Sequence, residues 1–81
     1  MIHTQIKQGQ IRRIGGKEYI VTADTNAPDF NPDETEVVEI TDLQNNMNNP
    51  QLCKRPYFNE NDLEYVAESL EAWVASWNKK R

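Results

Sequence analysis

The sequence predicts an α+β domain in which a small antiparallel β-barrel or curved sheet is followed by a C-terminal amphipathic helix. Three observations support this prediction: a pair of glycines between two β-like runs, a mid-chain run rich in β-branched residues, and helical periodicity towards the end. The chain has 81 residues, of which 37% are hydrophobic, so residues 1–81 are expected to form one small domain. This length excludes a two-domain enzyme and a doubly wound nucleotide-binding fold.

The glycine pair Gly15-Gly16 predicts a tight β-hairpin. Two consecutive glycines supply the positive φ angles that primed two-residue turns require. Such a turn fixes the register of the hairpin, so that Arg13 faces Glu18 and Arg12 faces Tyr19. Because both faces of the hairpin carry apolar groups, the pattern favours a curved sheet or small barrel over a flat one-sided sheet.

The other elements follow from β-branched content and from helical periodicity. A run of valine and isoleucine bracketed by acids indicates a third strand. Near the end, apolar residues recur every three or four positions from Leu63 to Trp77, and Asn59 is a suitable N-cap, which predicts a helix at about 60–78. The strands are expected at about 8–14, 17–23 and 35–41, with a further short strand at 51–54.

Charge is distributed unevenly along the chain, whose net charge is −4. Residues 1–23 carry four bases and one acid, residues 24–42 carry seven acids and no base, and the remainder carries five of each. The acidic segment could imitate an array of phosphates and occupy a basic groove on another protein. The acids singled out for this role are Asp33, Glu34, Glu36 and Glu39.

Signatures of catalysis and metal binding are missing from the sequence. It contains no nucleophile-elbow, phosphate-loop or paired-cysteine motif. A single cysteine, Cys53, and a single histidine, His3, exclude a disulfide framework and a cysteine- or histidine-based metal cluster. We therefore expect no metal and no cofactor. With no apolar run long enough to span a bilayer and no leader in residues 1–20, we expect no membrane association and a cytoplasmic location.

Four segments together resemble the MazF/PemK-type toxins. Residues 7–11 (KQGQI) are similar to the opening K/R-G-D-I strand of that family, and residues 17–21 (KEYIV) to its second strand. Residues 37–41 (VVEIT) resemble the family strand that ends in P-I-T, and residues 58–66 (FNENDLEYV) its terminal helix. The resemblance implies an SH3-like barrel with helices, often dimeric.

The same resemblance implies a set of catalytic residues for cleavage of single-stranded RNA. Active members use an arginine in the second-strand motif and a threonine at the end of the P-I-T strand. Thr41 matches the threonine, whereas the arginine position falls near Lys17 or Glu18 and is not matched. Arg12 and Arg13, on the preceding strand, are then the arginines that could lie nearby.

These observations favour a non-catalytic binding module. We expect an acidic inhibitor or adaptor of the phage or mobile-element type that binds a protein partner. It would act through the acidic segment, through the apolar stripe of the C-terminal helix, or through both. Trp73 and Trp77 lie on that stripe, and aromatic residues are enriched at interfaces. Self-association through the C-terminal helix to form a homodimer is the first partnership to expect.

Two alternatives involve nucleic acid. One is a MazF-like endoribonuclease toxin, or a degenerate relative that binds single-stranded RNA, using Arg12, Arg13 and Thr41. The other is a nucleic-acid-binding module in which the basic hairpin contacts phosphates and an aromatic ring stacks on a base. The residues for this second alternative are Arg12, Arg13, Lys17 and Tyr19.

Overall fold

The structure, a computed structural model, describes residues 5–78. Five antiparallel strands form a sheet in the order β4-β3-β2-β1-β5, and two helices accompany it. The elements are β1 (Ile11–Ile14), β2 (Lys17–Val21), β3 (Thr35–Glu39), α1 (Ile40–Asn45), β4 (Tyr57–Phe58), β5 (Glu64–Ala67) and α2 (Leu70–Asn78). The predicted α+β fold class is confirmed, in its curved-sheet form and not as a closed barrel.

The predicted hairpin forms with the predicted register. Gly15 and Gly16 take φ angles of 60° and 78°, as a primed turn requires. Across the turn, Arg13 pairs with Glu18 and Arg12 with Tyr19. Both strands are shorter than expected, because the residues before β1 form a turn at Gly9 and the ladder stops at Val21.

The last strand returns to the first, which makes the sheet curve. A short 3-10 helix, Glu60–Asp62, connects β4 to β5, and these two strands occupy opposite edges of the sheet. A flat five-stranded sheet would separate its edges by about 19 Å. The connection spans only about 16 Å if its 3-10 turn rises at the usual rate. The sheet therefore curls, which is the curved-sheet form of the predicted fold.

Apolar side chains fill both faces of the curved sheet. One face holds the main core cluster, and the other holds Ile11 and Val38. Both residues pair with Ile20 across neighbouring strands, so all three lie on the same face of the sheet. α1 packs on β2 and β3, and α2 packs on β5. The main cluster consists of Ile6, Tyr19, Val21, Val37 and Leu63, with Ile14, Ala23, Phe30 and Phe58 packed around it.

The predicted helix at 60–78 is correct only in its second half. Residues 60–62 form the 3-10 turn, and residues 64–67 form β5. The reason is tertiary: β1 has a free edge on the side away from β2, and pairing with β5 satisfies its backbone groups. Leu63, taken as the first apolar position of the helix, is instead buried in the core beneath the sheet.

Two other predicted strands also differ from the structure. The strand expected at 51–54 is absent: Pro50–Leu52 is a 3-10 helix, and its proline has no N–H to give to a ladder. The third strand ends at Glu39 and not at Thr41, because the chain turns at that point into the short helix α1.

Candidate functional site

An apolar groove lies between α1 and α2, with a volume of about 300 Å³. We call it the helix groove. Its walls are apolar apart from one glutamine, and several of its side chains are open to solvent, including Met47 at 74% and Trp77 at 51% exposure. Exposed apolar patches of this kind are typical of interaction surfaces. The groove is lined by Ile40, Leu43, Gln44, Met47, Leu70, Trp73, Val74 and Trp77.

One wall of the helix groove is the apolar face of α2. Ser69 caps this helix, since its Oγ accepts a hydrogen bond from the backbone N–H of Ala72 at 3.1 Å. The apolar residues follow at helical spacing and so share one face. Trp73 and Trp77 meet edge to face, with ring centroids 4.4 Å apart. The two tryptophans predicted as binding residues are thus brought together at the groove.

The opposite wall comes from α1 and the turn that follows it, and it was not predicted from the sequence. Asn46 closes this helix, and its Nδ2 donates to both the backbone and the side chain of Asp42 at 2.9 Å. The signal was present, because Ile40, Leu43 and Met47 follow the i, i+3, i+7 pattern of a helix face. The β-branched residues of β3 continue into α1 without a break, so the pattern predicted a longer strand there. The asparagines that follow α1 predicted a loop.

The four predicted acidic residues do not share one surface. Asp33 accepts a hydrogen bond from Asn59 Nδ2 at 3.0 Å, and Glu36 accepts one from Thr22 Oγ1 at 2.8 Å. Strand alternation places Glu36 and Glu39 on opposite faces of β3. Glu34 is exposed in a 3-10 helix (Pro32–Glu34) before that strand. The structure therefore separates the acidic segment into several local environments.

Arg12 is buried, and its hydrogen bonds connect parts of the fold. Its side chain is 3% exposed, and its Nη1 donates to the carbonyl of Leu63 at 3.1 Å. Its Nε and Nη2 donate to Gln10 Oε1 at 3.0 and 2.7 Å. The guanidinium also lies over the Tyr65 ring, 5.3 Å from its centroid. Burial lowers the pKa of Arg12, and the charge of Glu60 opposes that shift.

Arg13 is exposed, and carboxylates surround it. Its Nε donates to Glu18 Oε2 at 2.7 Å, and its Nη1 lies 3.5 Å from Glu64 Oε2. The hydrogen bond to Glu18 raises the pKa of Arg13. The predicted cross-strand pair with Glu18 is confirmed. Because two carboxylates match one guanidinium, this end of the hairpin offers little net positive charge to a phosphate.

A second concavity, which we call the polar cleft, holds the remaining predicted nucleic-acid residues. It has a volume of about 340 Å³ and contains two lysines and two acids. Thr41 and Lys17 line it, but Arg12 and Arg13 do not, so this cleft does not bring together the three residues expected for RNA cleavage. The polar cleft is lined by Lys17, Tyr19, Glu39, Thr41, Asp42, Asn45, Lys54 and Pro56.

Within residues 5–78, no group of three or more histidine, cysteine, aspartate or glutamate side chains is placed to hold a metal ion. His3 lies outside the described residues. No helix in the described part of the chain has the length and apolar character needed to cross a membrane. Comparison with known proteins adds no relative: no family model, no curated protein and no solved structure matches this chain.

Proposed function

We propose that this protein is a non-catalytic binding module that holds a protein partner in the helix groove and acts as an adaptor or inhibitor. The observation that carries the proposal is the exposed apolar face of α2, opposed by apolar residues of α1. Such a groove suits an amphipathic segment that inserts apolar side chains at helical spacing. Burying the exposed parts of these side chains releases about 25 cal/mol per Å². A reducing cytoplasm suits the one cysteine, which is buried and unpaired.

The basic hairpin supports a protein partner over a nucleic acid. Arg12 is committed to the fold, and Arg13 is matched by the carboxylates of Glu18 and Glu64. Phosphate binding depends on accessible, unmatched cations, because it works by release of counterions. The hairpin therefore presents less usable positive charge than its sequence suggests.

A library of amphipathic helical peptides displayed on phage tests the proposal. We expect selected peptides to carry apolar residues at i, i+3 or i+4, and i+7, and to bind the helix groove. Val74→Glu places a charge in the groove and should weaken their binding at least tenfold, the equivalent of about 1.4 kcal/mol. Leu52→Glu is the matched control, because Leu52 is 65% exposed and lies outside the groove. Equal losses in the two variants, or no enriched peptide, would contradict the proposal.

The polar cleft supports a second candidate, binding of single-stranded RNA. It places the hydroxyl-bearing Thr41 in one concavity with Lys17 and Lys54. A fluorescence anisotropy titration with a labelled RNA at low and high salt tests this candidate. If RNA binds there, Lys17→Ala and Lys54→Ala should each make the binding constant less dependent on salt, which appears as a shallower slope of its logarithm against the logarithm of salt concentration. Absence of affinity at low salt, or affinity that both variants retain, excludes it.

A further inference from the structure

We propose that the occupant of the helix groove is α2 of a second copy of this chain, in a two-fold dimer whose α2 helices run antiparallel. The proposal rests on the proposed function, because it names the partner of the same surface. Its support comes from the shape of α2 and from the order of charges along it.

The shape of α2 is self-complementary. Leu70 and Val74 are four residues apart and form an exposed apolar ridge along the helix. The helix groove lies on one flank of this ridge, and a shallow hollow bordered by Glu71 and Ala75 lies on the other. Each copy therefore carries both a ridge and a groove. A two-fold axis uses the same patch on both copies, so the ridge of each can pack in the groove of the other.

The charges along α2 select the antiparallel arrangement. Glu68 precedes the helix and Glu71 lies in its first turn, whereas Lys79, Lys80 and Arg81 follow its last described residue in the sequence. Glu71 forms no ion pair with any of residues 5–78. In an antiparallel pair, Glu71 of one copy lies towards the end of the other copy's α2, after which the sequence continues with three bases. A parallel pair would bring like charges together, which costs free energy.

The size of the surface sets the expected affinity. The nine residues of α2 extend over about 13 Å, and Met47, in the turn after α1, adds apolar area beside them. A stable interface usually covers about 800 Å² on each partner, and smaller ones are weak. We therefore expect a reversible dimer whose dissociation constant lies in the micromolar range.

Sedimentation equilibrium of the full chain over a range of concentrations tests the dimer. Val74→Glu puts a carboxylate on the ridge of both copies and should raise the dissociation constant at least tenfold, whereas the control Leu52→Glu should leave it unchanged. Circular dichroism confirms that each variant is folded. A wild-type chain that stays monomeric at about 1 mM, the concentration that corresponds to a binding free energy of only ~4 kcal/mol, overturns the proposal. Equal behaviour of the two variants overturns it as well.

Charge reversal on the surface tests the orientation without touching the apolar packing. Glu71→Lys should weaken the dimer roughly two- to fivefold, the range for an exposed ion pair. Adding Lys79→Glu and Lys80→Glu to the same chain should restore the affinity, because acid and base are then exchanged on the two sides of each contact. A dimer that Glu71→Lys leaves unchanged or strengthens overturns the antiparallel arrangement.

The outcome for self-association is separable from the outcome for peptide binding. A monomeric chain that binds helical peptides in the groove overturns this inference and leaves the proposed function in place. A monomeric chain that binds no peptide contradicts both. Peptides that dissociate the dimer by competition, and that lose affinity with Val74→Glu, support both at once.

Discussion

Arg12 directs two hydrogen bonds, from Nε and Nη2, to the single side-chain oxygen of Gln10, at 3.0 and 2.7 Å. Gln10 is fully buried, and the same oxygen also accepts the backbone N–H of Lys7 at 3.0 Å. Its Nε2 donates to the carbonyl of Gln5, while Arg12 reaches the carbonyl of Leu63. Gln10 and Arg12 together therefore connect the N-terminal segment, β1 and the turn that leads into β5.

Gln10→Leu should destabilise the fold strongly. The leucine fills much of the space but offers no acceptor, so two donors of the buried Arg12 guanidinium lose their partner. Leaving a buried donor without its partner typically lowers the free energy of unfolding by about 1–3 kcal/mol, and by more when the donor is charged. Urea denaturation followed by circular dichroism measures this loss.

Gln8→Leu is the matched control for this substitution. Gln8 is exposed, and its side chain makes one long hydrogen bond, 3.3 Å, to the carbonyl of Thr22. We expect its loss to stay within about 0.5 kcal/mol. If Gln10→Leu does not fold, adding Arg12→Met should restore folding, since an apolar pair can replace a buried polar one. Equal stability of the Gln8 and Gln10 variants would contradict a structural role for this network.

Gly16→Ala should lower the free energy of unfolding by about 1 kcal/mol through the backbone alone. Gly16 has a φ of 78°, where residues with a Cβ are disfavoured by about 1–2 kcal/mol, and an added Cβ would touch no atom within 4 Å. Gly16→Asn should lose less, because asparagine tolerates this conformation. Denaturant unfolding of both variants decides the point. An asparagine variant as unstable as the alanine variant would indicate another cause.

The hairpin could be predicted from sequence because its determinants are local. Gly15 and Gly16 impose a two-residue turn, and the register of every following pair is then fixed. The pairing of Arg13 with Glu18 required no knowledge of the rest of the chain. A feature set within ten residues of sequence is therefore recoverable from sequence.

The segment 63–67 could not be assigned in this way, because its conformation depends on a distant strand. Its apolar residues fit a helix of period 3.6, yet it pairs with β1, more than fifty residues earlier. An extra residue, Val66, lies opposite the irregularity between Ile11 and Arg12, so strict alternation is broken as well. Neither the partner strand nor the bulge has a local signature.

The candidate site also has one part that the sequence predicts and one part that depends on tertiary structure. The tryptophan face of α2 is a periodic pattern within one helix, and the sequence revealed it. The facing wall depends on the position of α1 beside α2 after folding. Burial of Arg12 could not be predicted from the sequence either, because an arginine in a basic hairpin is usually exposed. Only the folded structure shows that Gln10 and Leu63 accept its hydrogen bonds.

Tyr65 should make stability fall at alkaline pH. Partial desolvation and the hydrogen bond from its OH to Glu68 Oε2, at 3.1 Å, raise the pKa of the phenol, while the charge of Arg12 opposes that shift. Because the pKa is higher in the fold than in the unfolded chain, the neutral phenol stabilises the fold at all pH values below about 10. That contribution disappears as the pH rises through the folded-state pKa.

Tyr65→Phe should remove this part of the pH dependence. We expect its urea midpoint to fall less than that of the wild type between pH ~9 and pH ~11, on either side of the reference phenol pKa. Phenolate absorbance checks the assignment, since the variant should lack a titration step displaced above about 10. Tyr57→Phe is the control and should keep that step. A variant that follows the wild-type pH profile would show that alkaline unfolding has another origin.

The same substitution at two serines, one just before α2 and one within it, should act in opposite directions. Ser69 precedes the helix and its Oγ accepts the N–H of Ala72, so Ser69→Ala removes an N-cap and should cost about 1 kcal/mol. Ser76 lies within the helix, where its Oγ donates to the carbonyl of Trp73 at 2.7 Å. Ser76→Ala exchanges this competing bond for the residue with the highest helix propensity and should stabilise the helix by a few tenths of a kcal/mol. Helix content and urea midpoints of the two variants measure the difference. A Ser69→Ala variant as stable as the wild type would contradict the cap, and a destabilised Ser76→Ala variant would contradict the competing role of its hydroxyl.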